Sequence, residues 1–201
     1  MDEATQQRAE QPVVSIVGDK VALGPPHRGM LPLLLVWAND LGLSLLSGDP
    51  LRPQTRDAVE ADYERYAKEK PPDMVIFAIY ERATLRLIGV TDLHRIDLSE
   101  RTAEFGIGIG ERDYHGKGYG TETTALMLDY AFTALGLHNV MLDTFAYNER
   151  AIRAYTRAGF RPIGRRRQAH RVGHQAYDLV LMDCLATEFS SPFPPVLKLP
   201  S

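Results

Sequence analysis

The sequence predicts a mixed α/β domain in which helices flank a mostly antiparallel sheet. Three observations lead to this prediction. β-rich segments lie before and after two helical segments up to about residue 110, a glycine-rich loop follows, and the apolar period then changes from two residues to between three and four. A chain of 201 residues with 44% hydrophobic residues is also long enough to bury a sizeable core in one domain.

The first third of the chain predicts a hairpin followed by two helices. "VVSIVGDKVALGP" (13–25) is typical of two short strands joined by a Gly-Asp turn. Residues 28–46 predict one helix, with Pro32 in its first turn. The next helix begins after the capping candidate Thr55 and ends at the proline pair beginning with Pro71.

The middle of the chain predicts an antiparallel meander, because turn-like residues separate "MVIFAIYE", "LRLIGVTDLHRI" and "RTAEFGIGIG". A helix then begins near Tyr119, followed by the strand "NVMLDTFA". A second helix has Asn148 as its N-cap and Gly159 as its stop. A final hairpin turns around Gly173.

Composition limits the cellular compartment and the classes of binding partner that we expect. The formal net charge of -3 gives no electrostatic case for a nucleic-acid binder, and Cys184 has no second cysteine with which to form a disulfide. The N-terminus lacks the layout of a secretory signal, so we expect a cytoplasmic protein. We expect a flexible tail over 1–12, one domain over 13–188, and a proline-rich tail over 189–201.

The loop "DYHGKGYGTE" (113–122) indicates anion binding. Glycines let a phosphate approach the backbone, and the N-terminus of the following helix offers unbonded N–H groups. The loop is not a P-loop, since Gly118 follows Gly116-Lys117 where serine or threonine is required. The dinucleotide fingerprint Gly-x-Gly-x-x-Gly also fails, because Thr121 takes its last position when read from Gly116.

"HGKGYGTE" followed by "NERAIRAYTRAGF" resembles the GCN5-related N-acetyltransferase (GNAT) family. The likeness is nearest to the branch of ribosomal-protein N-terminal and spermidine acetyltransferases. It covers about residues 20–188 and is densest from Ala103 to Phe160. The resemblance implies a mostly antiparallel sheet of about seven strands, flanked by about four helices and splayed between its two central strands.

The resemblance also implies acetyl-CoA as co-substrate, with no metal. Backbone N–H groups of the loop would wrap the pyrophosphate, although the family's usual first loop residue is not histidine. The strand "FGIGIG" would pair with the pantetheine arm, and its alternate glycines would leave one face open for a ligand. The implied coenzyme residues are Ile107, Gly108, Ile109, His115, Gly116, Lys117, Gly118, Tyr119, Gly120, Thr121 and Asn148.

Acetylation of an amine by a thioester needs a neutral amine, a stabilised oxyanion and a proton for the departing thiolate. By resemblance Tyr155 is the general acid at the sulfur, although its periodicity alone indicates a buried core tyrosine. Glu104 is the candidate base or amine-orienting carboxylate, with a solvated strand residue as the alternative. Backbone N–H groups near Ile109 would polarise the thioester carbonyl.

Several alternatives stay open. A GNAT-fold module that binds acyl-CoA for regulation or self-resistance would show little turnover, and an unrelated anion-binding protein would not bind coenzyme A. "RRRQAH" (165–170) favours a solvated edge strand over an RNA-binding patch, and His170 with His174 lacks further metal ligands. We expect a small-molecule or peptide amine as acceptor and no nucleic-acid or membrane partner, with a homodimer left open.

Overall fold

A computed structural model describes residues 12–49, 51–192 and 196, and arranges their strands in one eight-stranded sheet. The strands are β1 (Ile16–Val17), β2 (Val21–Gly24), β3 (Val75–Glu81), β4 (Leu87–Asp97), β5 (Thr102–Ile109), β6 (Asn139–Phe145), β7 (Arg161–Val172) and β8 (Gln175–Leu185). The α-helices are α1 (Leu31–Ala38), α2 (Leu41–Ser47), α3 (Arg56–Glu69), α4 (Tyr119–Asp129) and α5 (Glu149–Ala158).

The strand order is β1-β2-β3-β4-β5-β6-β8-β7. Every neighbouring pair is antiparallel except β5 and β6, which run parallel. The predicted mixed, mostly antiparallel sheet is therefore confirmed. Among the described residues it has one strand and one helix more than the numbers that the family resemblance implied.

The additional helix arises because the predicted helix over 28–46 is broken. A 3-10 turn (Arg28–Met30) leads into α1, and α2 then leaves at an angle of 93° to that first segment. Asp40 lies at the break with an extended backbone, and its carboxylate accepts from the N–H groups of Gly42 and Leu43. A capping aspartate begins a new helix here and so prevents the old one from continuing.

The other helix boundaries follow the predicted caps. Thr55 caps α3 by accepting from the N–H of Ala58, and Gly159 ends α5 at a φ of 123°. After α4 the chain makes one π-helical turn (Tyr130–Ala134) before Gly136, whose φ is 66°. These glycines take backbone conformations that other residues adopt only with strain.

The core has one layer on each face of the sheet. The larger one packs inner residues of β1 to β6 and of β8 against α4 and includes Phe105, Leu126 and Phe160. The smaller one packs Met30 and the partly buried Trp37 against the other face. β5 and β6 lie near the middle of the strand order, and apolar residues pack on both faces of the sheet.

No single helix of the described residues is long and apolar enough to cross a membrane. The segments Arg28–Ala38 and Leu41–Ser47 reach that length and apolarity only together, across their 93° bend. Most of the two predicted tails lies outside the described residues, which exclude 1–11, 193–195 and 197–201. Within the described part, Phe189 packs against Phe132, with ring centroids 5.4 Å apart.

Candidate active site

An opening between the two parallel strands is the main feature of the sheet's centre. β5 pairs with β6 only from Thr102 to Glu104, whose partners are Asn139 and Met141. Both strands continue past this point, so one edge of β5 lacks a strand partner from Phe105 onward. The splay expected from the resemblance is present, and the free strand edge can pair with an extended ligand.

Gly106 and Gly108 of β5, with Gly110 directly after it, face the α1 side of the sheet, and only one of the three leaves open space. A Cβ on Gly106 would lie 2.6 Å from Oδ2 of Asp92, and one on Gly110 would lie 2.1 Å from Cδ2 of Trp37. A Cβ on Gly108 would meet no atom within 4 Å. The expected free face is therefore reduced to a slot at Gly108, because a carboxylate and an indole fill its two ends.

The glycine-rich loop leads from β5 into α4. Gly116 and Gly118 have φ values of 72° and 92°, so both need the conformational freedom of glycine. Gly118 is the N-cap of α4, and no side chain caps that helix end. The first N–H groups of α4 therefore lack both intrahelical acceptors and a side-chain cap, an arrangement that suits an anion.

His115 ties the loop back to β5. Its Nε2 lies 2.7 Å from the backbone oxygen of Ile109, the last residue of the strand. The structure thus supplies the side-chain contact that the sequence left open: this histidine holds the loop instead of extending away from it.

Lys20, from the turn between β1 and β2, also reaches the loop, a contact that no sequence pattern predicts. Nζ of Lys20 donates to the backbone oxygen of Lys117 at 3.0 Å. Glu122, only 7% exposed in the first turn of α4, accepts from the backbone N–H groups of Lys20 and Val21 at 2.7 and 3.2 Å. A Cβ on Gly18 would lie 2.3 Å from that carboxylate, which explains the glycine in the turn.

Tyr155 of α5 lies beside the opening. Its ring packs edge-on against Phe105 and Phe160, with centroids 6.2 and 6.1 Å away. Burial, and then the charge of Asp143, raises the pKa of Tyr155 to about 12. The phenol therefore keeps its proton at neutral pH, as both a core tyrosine and a general acid must.

Asn148 performs the capping role predicted for it. Its Oδ1 accepts from the N–H of Ala151 at 3.2 Å, and the residue is 9% exposed. The cap fixes the start of α5 and so the position of Tyr155 two turns later. Contact with a pantetheine arm stays a prediction.

Glu104 belongs to a charged group on the α1 face of the sheet. Its carboxylate accepts from Nη1 of Arg95 at 2.7 Å and lies 3.4 Å from Nε2 of His94. His94 in turn has Nδ1 2.6 Å from Oδ1 of Asp92. Glu104 is therefore more than a solvated strand residue, because the guanidinium of Arg95 binds its carboxylate.

The helices of the α1 face are joined to the segment that leads into the loop. Nε1 of Trp37 donates to Oε1 of Glu111 at 3.2 Å. Nη2 of Arg112 donates to both carboxylate oxygens of Asp40, at 2.7 and 2.8 Å. The hydrogen bond from Arg112 lowers the pKa of Asp40 more than partial burial raises it, and the capping N–H groups lower it further. One carboxylate thus caps α2 and joins it to the loop.

Because the pKa of Asp40 is lower in the folded protein than in the unfolded chain, its stabilisation is present above about pH 4 and is lost as the pH falls through the folded-state pKa. Asp40→Asn should therefore lower the melting temperature at pH 7. The gap to wild type should stay constant from pH 7 to about pH 4 and narrow from there to about pH 3, as the carboxyl begins to take up its proton. Thermal melts across this range, with the exposed Asp62→Asn as control, test this. A gap that stays constant down to about pH 3 contradicts it.

Two other predictions concern the far edge of the sheet. β7 is the edge strand, and Arg165, Arg166 and Arg167 are exposed on it, as expected for a solvated edge. His170 packs against Phe145 with ring centroids 4.1 Å apart, inside an aromatic cluster. No group of three or more potential metal ligands is found among the described residues.

Comparison with known proteins agrees with this geometry. Residues 26–161 match the acetyltransferase (GNAT) domain family. The chain belongs to that family. This confirms the resemblance seen in the glycine loop and in the helix that follows Asn148.

Individual relatives point to one branch of the family. The chain is 37% identical over 82 residues to spermidine N(1)-acetyltransferase of Vibrio cholerae, a match covering 41% of this chain and 47% of that protein. It is 40% identical over 72 residues to the Escherichia coli K12 enzyme of the same name, covering 36% of this chain and 38% of that protein. The aligned stretch thus spans less than half the length of either relative.

A solved structure extends the likeness to the whole fold. Spermidine N-acetyltransferase from Vibrio cholerae, in complex with CoA and spermine, superposes with a TM-score of 0.77 at 24% identity. The superposition covers 85% of this chain and 98% of that one. At this identity the likeness establishes the fold alone.

Proposed function

We propose that the protein transfers the acetyl group of acetyl-CoA to a primary amine, by direct attack of the amine within a ternary complex. The observation that carries the proposal is the opening between β5 and β6. The uncapped N-terminus of α4 and the glycine loop lie at one end of β5, and Tyr155 packs beside it. Membership of the GNAT family supports the same reaction.

The residues around the opening fit the coenzyme. The unpaired edge of β5 and the open space at Gly108 suit the pantetheine arm, and the backbone N–H groups at the start of α4 suit a pyrophosphate. Acetyl-CoA supplies an acyl group already activated as a thioester. The residues proposed to hold it are Ile107, Gly108, Ile109, His115, Gly116, Lys117, Gly118, Tyr119, Gly120, Thr121 and Asn148.

Each catalytic role is assigned to a group at the opening. Tyr155 is proposed to donate its proton to the departing sulfur, and the N–H of Ile109 to polarise the thioester carbonyl. Glu104 is proposed to orient the acceptor ammonium through its exposed carboxylate. Deprotonating a lysine-like amine costs roughly 4–5 kcal/mol at pH 7, so the reaction also needs a proton acceptor near the amine.

A polyamine is the acceptor that we propose. The α1 face of the opening carries the carboxylates of Asp92, Glu104 and Asp143, and a polyamine is a flexible polycation at neutral pH. Relatives named as spermidine acetyltransferases support this choice over a protein N-terminus or a small monoamine.

Thiol release tests the activity and the acceptor together. The protein is mixed with acetyl-CoA and, separately, with spermidine, spermine, a peptide with a free N-terminus and a simple monoamine. We expect free thiol and an acetylated product with the polyamines first. Tight acetyl-CoA binding with no thiol release from any amine would favour a binding-only module, and no coenzyme A affinity would overturn the assignment altogether.

The charged side chains of the loop should matter less than its backbone. Lys117→Ala is expected to weaken coenzyme A binding by only about 1 kcal/mol, because an exposed cation is screened by salt and water. We expect a similar loss for Lys20→Ala. Calorimetric titration at two salt concentrations measures both, with the distant Lys68→Ala as control. A loss above about a hundredfold for either variant would mean that lysine side chains hold the phosphates.

A further inference from the structure

We infer that Asp143 of β6, and not Glu104, is the carboxylate that takes the proton from the acceptor ammonium. The inference rests on the proposed N-acetyltransferase function and names the proton acceptor that this function requires. The sequence offered no reason to select Asp143, since an aspartate at an exposed strand position is usually only solvated.

The strand register places Asp143 beside the opening, on the α1 face of the sheet. Glu104 pairs with Met141 in the last pair between β5 and β6, so these two side chains share one face of the sheet. Asp143 follows Met141 by two residues and so lies on that same face, beyond the point where the strands separate. It is exposed, whereas its neighbours Leu142 and Thr144 are buried on the other face.

Of the three carboxylates on the α1 face of the opening, that of Asp143 is the one without an ion-pair or hydrogen-bond partner among the described residues. Glu104 is bound by Arg95 at 2.7 Å, and Asp92 lies 2.6 Å from Nδ1 of His94. Among the described residues, nothing forms a hydrogen bond or ion pair with the carboxylate of Asp143. Protonating Glu104 would weaken a charge-assisted bond to a guanidinium, whereas protonating Asp143 disrupts no such contact.

Asp143 lies within electrostatic reach of the proposed general acid. Its charge contributes to the raised pKa of Tyr155 on α5 and to that of Arg95 on β4. The other charged or titratable groups on this face are Asp92, His94 and Arg95 on β4, Glu104 on β5, and Asp183, which pairs with Met141 from β8. The charge of Asp143 is therefore felt by the Arg95 guanidinium, which it favours, and by the Tyr155 phenol, whose ionisation it opposes.

This arrangement couples the two proton transfers. Asp143 takes one proton from R–NH3⁺, and the freed lone pair forms the C–N bond to the acyl carbon while the C–S bond breaks. Tyr155 gives its proton to the sulfur and regains one from the Asp143 carboxylic acid, and the remaining surplus N–H proton leaves to water. Asp143 is neutral while Tyr155 is ionised, so the two charges never oppose each other. One proton is released in each turnover, and both residues return to their starting states.

Asp143→Asn keeps the shape of the side chain but removes the proton acceptor. With spermidine and saturating acetyl-CoA, kcat/KM at pH 7 should fall by about a hundredfold. The deficit should shrink as the pH approaches about 10, because solution then supplies the neutral amine. Asp183→Asn on the neighbouring strand should keep wild-type kinetics, and Glu104→Gln should raise KM more than it lowers kcat. Coenzyme A affinity and the melting temperature should not change in Asp143→Asn.

A readout that is independent of turnover uses protein labelled with ¹³C at the tyrosine ζ carbon. The signal that disappears in Tyr155→Phe should titrate at lower pH in Asp143→Asn than in wild type, because the opposing charge is gone. Two results with an active wild type would overturn this inference and leave the proposed function intact. One is a kcat/KM of Asp143→Asn within threefold of wild type, and the other is a deficit in kcat/KM that does not change with pH. A wild type that releases thiol with none of the amines would overturn the proposed function, and this inference with it.

Discussion

Tyr155→Phe should lower kcat by about a hundred- to ten-thousandfold while coenzyme A affinity stays nearly constant. The substitution keeps the ring and its edge-on packing against Phe105 and Phe160 but removes the proton that the leaving thiolate needs. General-acid catalysis is typically worth a factor of about this size. Because the phenol's pKa is raised to about 12, the proton is present throughout the neutral range.

The alternative role of Tyr155, as a core residue only, predicts a different outcome. Tyr155→Phe would then leave kcat within a few-fold of wild type, and any change would appear in stability. Melting temperature, coenzyme A Kd and kcat measured on one preparation decide between the two roles. Tyr130→Phe is a matched control, since Tyr130 is also a partly buried tyrosine packed edge-on against a phenylalanine, Phe77, 5.3 Å away. An active Tyr155→Phe variant would remove the residue from the mechanism.

Local sequence signals predicted the elements around the site well, because their causes are local. Thr55 and Asn148 cap helices through hydrogen bonds to residues three positions away, and Gly159 stops a helix through its own φ. The splay of β5 from β6 has no such local cause and was expected only from the family resemblance. The extra helix break was missed, although Asp40 is a recognisable cap with a glycine two residues later.

Long-range contacts at the site were beyond a single sequence. Lys20 meets the loop residue Lys117 across 97 positions, and Glu122 binds the same hairpin across 102 positions. An acidic residue in the first turn of a helix is favourable next to the helix N-terminus by itself, so Glu122 in the sequence points to no distant partner. Only the fold shows that its carboxylate is buried against backbone N–H groups.

The glycines of β5 show the same limit on a smaller scale. Alternation correctly placed Gly106, Gly108 and Gly110 on one face, but it could not say which neighbours fill the space above them. Asp92 and Trp37 occupy the two ends, because β4 and α1 bring them there. The slot at Gly108 is thus defined by residues from other elements, and its width is a property of the fold.

Gly118→Val should abolish coenzyme A binding while the domain still folds. Gly118 is the N-cap of α4 with a φ of 92°, a conformation that a β-branched residue adopts only with strain. A Cβ there would also lie 3.4 Å from Nζ of Lys20, so the side chain would enter the space between the loop and the β1–β2 hairpin. The backbone N–H groups that follow would then be displaced or covered, and these groups are proposed to hold the pyrophosphate.

Backbone strain at one loop glycine must be separated from loss of the binding site. Gly173→Val is the matched control, since Gly173 has a φ of 58° at the β7–β8 turn and no atom within 4 Å of an added Cβ. Both variants should lose some thermal stability for the same reason, but only Gly118→Val should lose coenzyme A binding in calorimetric titration. If Gly118→Val is folded and binds coenzyme A as wild type does, the loop is not the pyrophosphate site. If both variants lose binding equally, the effect is global strain.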